Sequence, residues 1–136
     1  YEDLALSFVF RNLGTKARFI NTYESLPAEL SLGAAHDWQW ESRRLLCALE
    51  AAFPYYGDPY GKLGFEYSLR VGEASAASLR TGYKTLSAPG LGALTGITAG
   101  VGLRTGSFSL DFSFQPMAEL GEVYRAGLGW RFGSAK

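Results

Sequence analysis

The sequence is poor in the residues that build most catalytic and metal sites. It contains one cysteine, Cys47, and one histidine, His36. A single cysteine excludes an internal disulfide and a zinc site made of several cysteines. With one histidine, no Ser/His/Asp set or clustered metal site has support beyond composition. We therefore predict a protein that is not an enzyme, with no catalytic residue, no metal and no cofactor.

Charge is also scarce and balanced. Charged residues make up 19% of the chain, and 13 basic residues match 13 acidic ones. No net field steers the chain towards nucleic acid, so we predict no nucleic-acid partner. The one long uncharged run, residues 85–103, holds several glycines and a proline, which disfavour a membrane-spanning helix. It predicts a loop followed by a strand that starts near Ile97.

What the sequence has instead is aromatic residues, glycine and a strict alternation of apolar and polar positions. Aromatics are 15% of the chain and glycines number 17. Segments such as "LALSFVF" from Leu4 and "FSLDFSF" from Phe108 alternate with period two, which is typical of strands. About eight such segments occur, many of about ten residues, and a tilted strand of that length spans a bilayer's hydrocarbon core. Long and short connections alternate between them, and the first, after Leu13, is read as a plain long loop.

These patterns predict an all-β fold, an antiparallel transmembrane β-barrel with about eight strands in this chain. Alternation alone does not decide which face meets water. A soluble antiparallel sandwich would bury the apolar face, and a soluble lipid-binding β-barrel would point it inward. The membrane barrel is favoured because the polar face is rich in glycine, which exposed faces of soluble strands avoid. Two further observations favour the membrane barrel: aromatic strand ends segregate by side, and long and short connections alternate. All charges within the alternating segments fall on the polar face.

In the barrel interpretation the polar face lines the lumen and the apolar face meets lipid. The charges inside would either pair into a network that stiffens the wall or, through their surplus of base, favour an anion or a charged plug. The predicted lumen charge network consists of Glu29, Glu50, Glu66, Arg70, Arg80, Lys84, Arg104, Asp111, Arg125 and Arg131, and Arg11 is predicted to face the same lumen. The predicted lipid-facing residues are Leu63, Phe65, Phe108, Leu110, Phe112, Phe114 and Leu128. The predicted aromatic girdle at the two membrane interfaces consists of Trp38, Trp40, Tyr55, Tyr56, Trp130 and Phe132, with Tyr60 beside its tyrosines.

Several other features predict no site. His36 falls on the apolar face beside Trp38, as an interfacial residue would, and Cys47 is expected to behave as a small buried hydrophobe. The stretch "GLGALTG" at 90–96 lacks the Lys-Ser/Thr of a phosphate-binding loop. Carboxylates in the loops at 58 and 119–122 do not have the spacing of a calcium loop.

The second half of the chain resembles a known family. Its motifs are "LRTGYK" at 79–84, "GITAGVGLR" at 96–104, "LDFSF" at 110–114, "ELGEVYR" at 119–125 and "WRF" at 130–132. They resemble the C-terminal strands of the PorV/PorQ family of bacterial outer-membrane proteins, within the wider group of FadL-like barrels. The stretches "FRNLG" at 10–14 and "LPAELSLGAAH" at 26–36 are also similar, so the resemblance covers most of the chain.

The resemblance implies a barrel of about 14 strands in a bacterial outer membrane. Residues 1–136 would then form a single β-barrel domain or a barrel fragment that supplies about the last eight strands. It implies a non-enzymatic scaffold or partner of an envelope or secretion assembly, whose partners are membrane lipids and other envelope proteins. The alternative within the group is FadL-like transport of hydrophobic molecules.

Overall fold

The computed structural model describes residues 3–14, 17–19, 22–24, 26–85, 96–117 and 121–132. The fold of these residues is all-β, and none of them belongs to a helix that could cross a membrane. The strands are β1 (Leu4–Arg11), β2 (Ala17–Phe19), β3 (Thr22–Glu24), β4 (Glu29–Gln39), β5 (Arg43–Pro54), β6 (Tyr60–Arg70), β7 (Ser75–Lys84), β8 (Ile97–Thr105), β9 (Phe108–Pro116) and β10 (Glu122–Trp130).

Eight of these strands form one antiparallel sheet. Its order is β1-β4-β5-β6-β7-β8-β9-β10, so each strand lies beside its neighbour in the chain once β2 and β3 are set aside. In the part of the chain that the structure describes, β1 pairs only with β4 and β10 only with β9. The described sheet therefore has two open edges, β1 and β10.

The connection between β1 and β4 differs from the prediction. It was expected to be a plain loop, but it contains the two-stranded hairpin β2–β3, which is separate from the large sheet. Each of these strands has three residues. A strand of that length cannot display an alternation that distinguishes it from a loop, which is why the pattern did not reveal it.

The connections alternate in length between the two ends of the sheet, as predicted. Residues 40–42, 71–74 and 106–107 form turns at one end, which we name the short-turn rim. Residues 12–28, 55–59, 85–96 and 117–121 connect strands at the other end, the long-loop rim. Gly106 adopts a φ of +54°, the left-handed conformation that tight hairpin turns require. The uncharged run at 86–95, including most of "GLGALTG", and Glu119 lie outside the described residues.

The register keeps each kind of residue on one face across the whole sheet. Phe112 lies opposite Val101 on β8 and Ala126 on β10, whereas Glu66 lies opposite Arg80. A shift by one residue would exchange the faces, and no such shift occurs between the eight strands. The sheet thus has a continuous apolar face and a continuous polar face.

The two faces are exposed in the reverse of the usual sense. On the apolar face Leu128 is 80% exposed and Leu6 is 76% exposed. On the polar face the side chains of Glu29 and Glu66 are only 16% and 22% exposed. Among the apolar residues that the structure describes, only Ala52 is buried. Other polar-face side chains are more open, with Arg80 44% and Asp111 45% exposed, so this face is only partly sheltered. The sheet is a single layer, and no second layer of described residues covers the apolar face as a sandwich would require.

Two charges depart from the rule that charges avoid the apolar face. The structure begins β5 at Arg43 and β10 at Glu122, in each case two residues earlier than the alternation indicated, which starts at Leu45 and Tyr124. Both positions have the parity of the apolar face. Arg43 lies at the short-turn rim and Glu122 at the long-loop rim, so the apolar face is free of charge only between the two rims.

Candidate functional site

A row of alternating charges crosses the middle of the polar face. Arg80 on β7 donates from Nε to Glu66 Oε2 and from Nη1 to Asp111 Oδ1, both at 2.6 Å. Arg44 bonds Asp37 Oδ2 at 2.8 Å and lies 3.6 Å from Glu66 Oε1. The order Asp37, Arg44, Glu66, Arg80, Asp111 alternates in sign from β4 to β9. We name this row the central ion-pair chain.

A second group of charges lies nearer the long-loop rim. Arg11 Nη1 is 2.8 Å from Glu29 Oε1, and the Tyr60 hydroxyl donates to the other oxygen of that carboxylate at 2.8 Å. Lys62 Nζ is 2.7 Å from Glu50 Oε1. This group occupies the polar face, so Tyr60 belongs to it and not to the aromatic girdle in which the sequence placed it.

All ten residues of the predicted charge network lie on the polar face, but only part of the network is formed. Glu66, Arg80 and Asp111 share the central ion-pair chain, while Glu29 and Glu50 pair with other bases. The remaining five predicted residues form no ion pair, because no carboxylate oxygen in the described ranges lies within 4.0 Å of their charged nitrogens. They are Arg70, Lys84, Arg104, Arg125 and Arg131.

Three residues that complete the observed pairs were not predicted. Asp37, Arg44 and Lys62 lie within two residues of a recognised alternation, whereas Arg11 was predicted to face the lumen. Extending each alternation to the observed strand end would have placed the three missed residues on the polar face. The pairings themselves depend on the register, which the sequence does not give.

Glycines on the polar face make room for these groups. A Cβ added at Gly102 would lie 2.5 Å from Ser78 Oγ and 2.8 Å from Asp111 Oδ1. A Cβ at Gly82 would lie 2.8 Å from Thr98 Oγ1. Gly33 and Gly129 are similarly placed beside the hydroxyls of Ser7 and Ser109. At these positions the glycine-rich face reflects hydroxyls and carboxylates that occupy the space of a side chain.

The predicted girdle residues lie at the two rims. Trp38, Trp40, Trp130 and Phe132 are at the short-turn rim, and Tyr55 and Tyr56 at the long-loop rim. Trp130 stacks on Phe108 with ring centres 5.3 Å apart. Tyr55 and Tyr56 pack edge to face at 4.8 Å. The predicted lipid-facing residues all lie on the apolar face; Phe108 is at the short-turn rim opposite Trp130, and the others lie between the rims.

His36 and Cys47 lie opposite each other on the apolar face. His36 stacks on Trp38 with ring centres 4.3 Å apart, and its Nδ1 is buried without a hydrogen-bond partner in the described structure. Cys47 is a free thiol of intermediate exposure. No three His, Cys, Asp or Glu side chains within the described ranges lie close enough to share a metal ion.

Removing Arg80 should destabilise the fold because Arg80 is the base that Glu66 and Asp111 share. For Arg80→Gln we expect the free energy of unfolding to fall by about 1 kcal/mol, a modest value because these side chains are partly exposed. The matched control is Arg125→Gln on the same face, since the one side-chain hydrogen bond that Arg125 makes in the described structure goes to Gln115 Oε1, at 3.4 Å. The control should change stability by less than about 0.5 kcal/mol in urea-induced unfolding. Equal losses in both variants would contradict the role of the central ion-pair chain.

Comparison of the chain with protein-family models, curated proteins and solved structures finds no match. The resemblance to the PorV/PorQ family therefore depends on the sequence motifs alone.

Proposed function

We propose that this chain is part of a bacterial outer-membrane β-barrel of the PorV/PorQ type, a non-enzymatic scaffold or partner of other envelope proteins. The observation that carries the proposal is the reversed exposure of the two faces. If the sheet stood alone in water, large apolar side chains on all eight strands would be exposed, forming a patch far larger than soluble monomers tolerate. A bilayer is the environment in which an outward apolar band and a sheltered polar interior are favourable.

The dimensions of the sheet support a membrane location. Its strands run from 8 residues in β1 to 12 in β5, which brackets the length of a tilted strand that crosses a bilayer. Aromatic residues occupy both rims, where their rings can lie at the level of the lipid headgroups. Arg43 and Glu122, the two charges on the apolar face, are also at the rims, where a charge on the lipid side costs little.

The open edges support a barrel with more strands than this chain supplies. In a bilayer the unpaired backbone groups of β1 and β10 would each lack a partner, at a cost of several kcal/mol per group. Further strands, to the total of about 14 that the resemblance implies, would pair with both edges. Strands β1 and β10 run in opposite directions, so an even number of additional strands preserves the antiparallel order.

The chemistry of the polar face favours a scaffold over the two alternatives. A FadL-like route for hydrophobic molecules would have to pass the central ion-pair chain, which offers charge where such cargo needs apolar contact. A soluble lipid-binding barrel would need its apolar side chains turned inward, yet these are the more exposed side chains here.

The test is fractionation of cells that produce the complete protein. We expect the protein in the outer-membrane pellet, resistant to alkaline carbonate and released by detergent. A detergent-free soluble monomer would refute the membrane location. Purification in mild detergent separates the two membrane roles: a stoichiometric protein partner supports the scaffold, whereas a lone protein with bound fatty acyl chains supports transport.

A further inference from the structure

A hollow of about 290 Å³ opens on the polar face near the short-turn rim. Its charged lining includes Arg44, Arg70, Arg80, Arg104, Glu66 and Asp111. Within it, Arg44 and Arg80 are held by carboxylates, and Glu66 and Asp111 are in turn held by these arginines. Arg70 and Arg104 remain as guanidinium groups without a carboxylate within 4.0 Å in the described structure.

The register places these two arginines on either side of a gap. Arg70 on β6 and Arg104 on β8 both lie opposite Ala76 on β7. Their Cα atoms are thus two strand spacings apart, about 10 Å. Between them the alanine offers only a methyl group, so no described side chain of β7 fills the space at that row.

Hydroxyl groups border the same gap. Ser109 lies opposite Arg104, and Ser78 is the next polar-face residue of β7 after Ala76, opposite Ser68. All three serines line the hollow. One carboxylate, Glu41, also borders the hollow from the turn at 40–42. This turn lies beside Arg70, whose backbone N–H donates to the Ser42 carbonyl at 2.8 Å, but Glu41 makes no ion pair with Arg70 within 4.0 Å in the described structure. The Ser68 hydroxyl already donates to Glu66 Oε1 and the Ser78 hydroxyl to the Gly102 carbonyl. The site therefore presents two guanidinium groups and the hydroxyl of Ser109 as donors.

We propose that this hollow binds a phosphate-class anion between Arg70 and Arg104, either a free phosphate or the phosphate of a lipid headgroup. Guanidinium forks bind phosphate oxygens in pairs of charge-assisted hydrogen bonds. The two guanidinium groups and the Ser109 hydroxyl supply more donors than the two oxygens of a carboxylate use well, whereas a phosphate presents three or four oxygens. This inference goes beyond the proposed function and does not depend on it.

The test is titration of the complete protein with inorganic phosphate, in a phosphate-free maltoside detergent and at constant ionic strength. We expect saturable binding with one phosphate per chain by calorimetry. Arg70→Gln and Arg104→Gln should each raise the Kd on the order of tenfold or more. Arg70→Lys should raise the Kd by less, because lysine keeps the positive charge but cannot donate two parallel hydrogen bonds as a guanidinium group does. Far-UV circular dichroism checks that each variant keeps its strands.

The control is again Arg125→Gln, which removes a charge from the same face outside the hollow. It should leave the Kd within about twofold, a free-energy difference near the noise of such measurements. A loss equal to that of Arg104→Gln, an absence of saturable binding, or acetate binding as tight as phosphate binding would overturn the proposal. Displacement of phosphate by a short-chain phospholipid would assign the site to a lipid headgroup, and failure of displacement would assign it to a soluble phosphate.

Discussion

Replacing Phe112 by arginine should destabilise the membrane-inserted protein by about 2–4 kcal/mol, the cost of a cation on the lipid face of a barrel near the bilayer midplane. Phe112 lies in the middle of β9 and its side chain on the apolar face is exposed. In water the same replacement at an exposed position would change stability by less than about 0.5 kcal/mol. The size of the effect therefore distinguishes a lipid-facing from a water-facing surface.

The neighbouring residue provides the control for this prediction. Ser113 follows Phe112 on β9 and points to the polar face, so Ser113→Arg adds the same charge to the same strand on the opposite side. We expect the control to fold and insert with a loss well below that of Phe112→Arg. The measurement is urea-induced unfolding in lipid vesicles, followed by tryptophan fluorescence.

The depth of the introduced charge in the bilayer provides a second check of this prediction. Trp130→Arg places the charge at the short-turn rim, where the cost should fall to about 0–1 kcal/mol. Equal losses of stability in the arginine variants at Phe112, Ser113 and Trp130 would mean that the apolar face does not meet lipid.

The assignment of faces and rims could be predicted from the sequence because it depends on local patterns. Alternation from Phe108 to Phe114 fixes which side chains share a face, and this holds for any register that preserves parity. The lengths of the connections are equally local, so Trp130 and Tyr55 fell at their correct rims without knowledge of the strand pairing.

The pairings and the strand ends could not be predicted in the same way. Arg80 binds Glu66 and Asp111, which are 14 and 31 residues away in the chain, and these contacts exist only because β6, β7, β8 and β9 are aligned in one register. Arg43 and Glu122 became strand residues through backbone pairing at the rims, although their charges break the alternation. Which face is sheltered also depends on the three-dimensional form of the sheet and not on the period.

Gly102→Ala is expected to lower the free energy of unfolding by about 1–3 kcal/mol, the typical cost of forcing an added methyl group into occupied space. The added Cβ would meet Ser78 Oγ at 2.5 Å, Asp111 Oδ1 at 2.8 Å and Arg80 Nη2 at 3.4 Å. Relief requires these groups to move, and movement of Asp111 breaks its bond to Arg80. The variant thus acts on the central ion-pair chain without removing any charge.

Gly64→Ala is the matched control, because it makes the same chemical change on the same face of the sheet. At Gly64 the nearest atom to an added Cβ is the Thr81 carbonyl oxygen at 4.0 Å, an ordinary contact. This variant should be neutral or stabilising by up to about 1 kcal/mol, since alanine restricts the unfolded chain. The opposite signs expected at Gly102 and Gly64 separate crowding from a general intolerance of alanine.

A second substitution identifies the crowding atom. Ser78→Ala removes the Oγ closest to the added methyl, so the double variant Ser78→Ala/Gly102→Ala should recover part of the stability lost by Gly102→Ala alone. The coupling energy from the double-mutant cycle should be on the order of 1 kcal/mol. Additive losses would show that the Ser78 hydroxyl is not the obstacle. An added methyl group in an open, water-filled groove would meet no such obstacle. Recovery of stability in the double variant would therefore show that the polar face is tightly packed at Gly102.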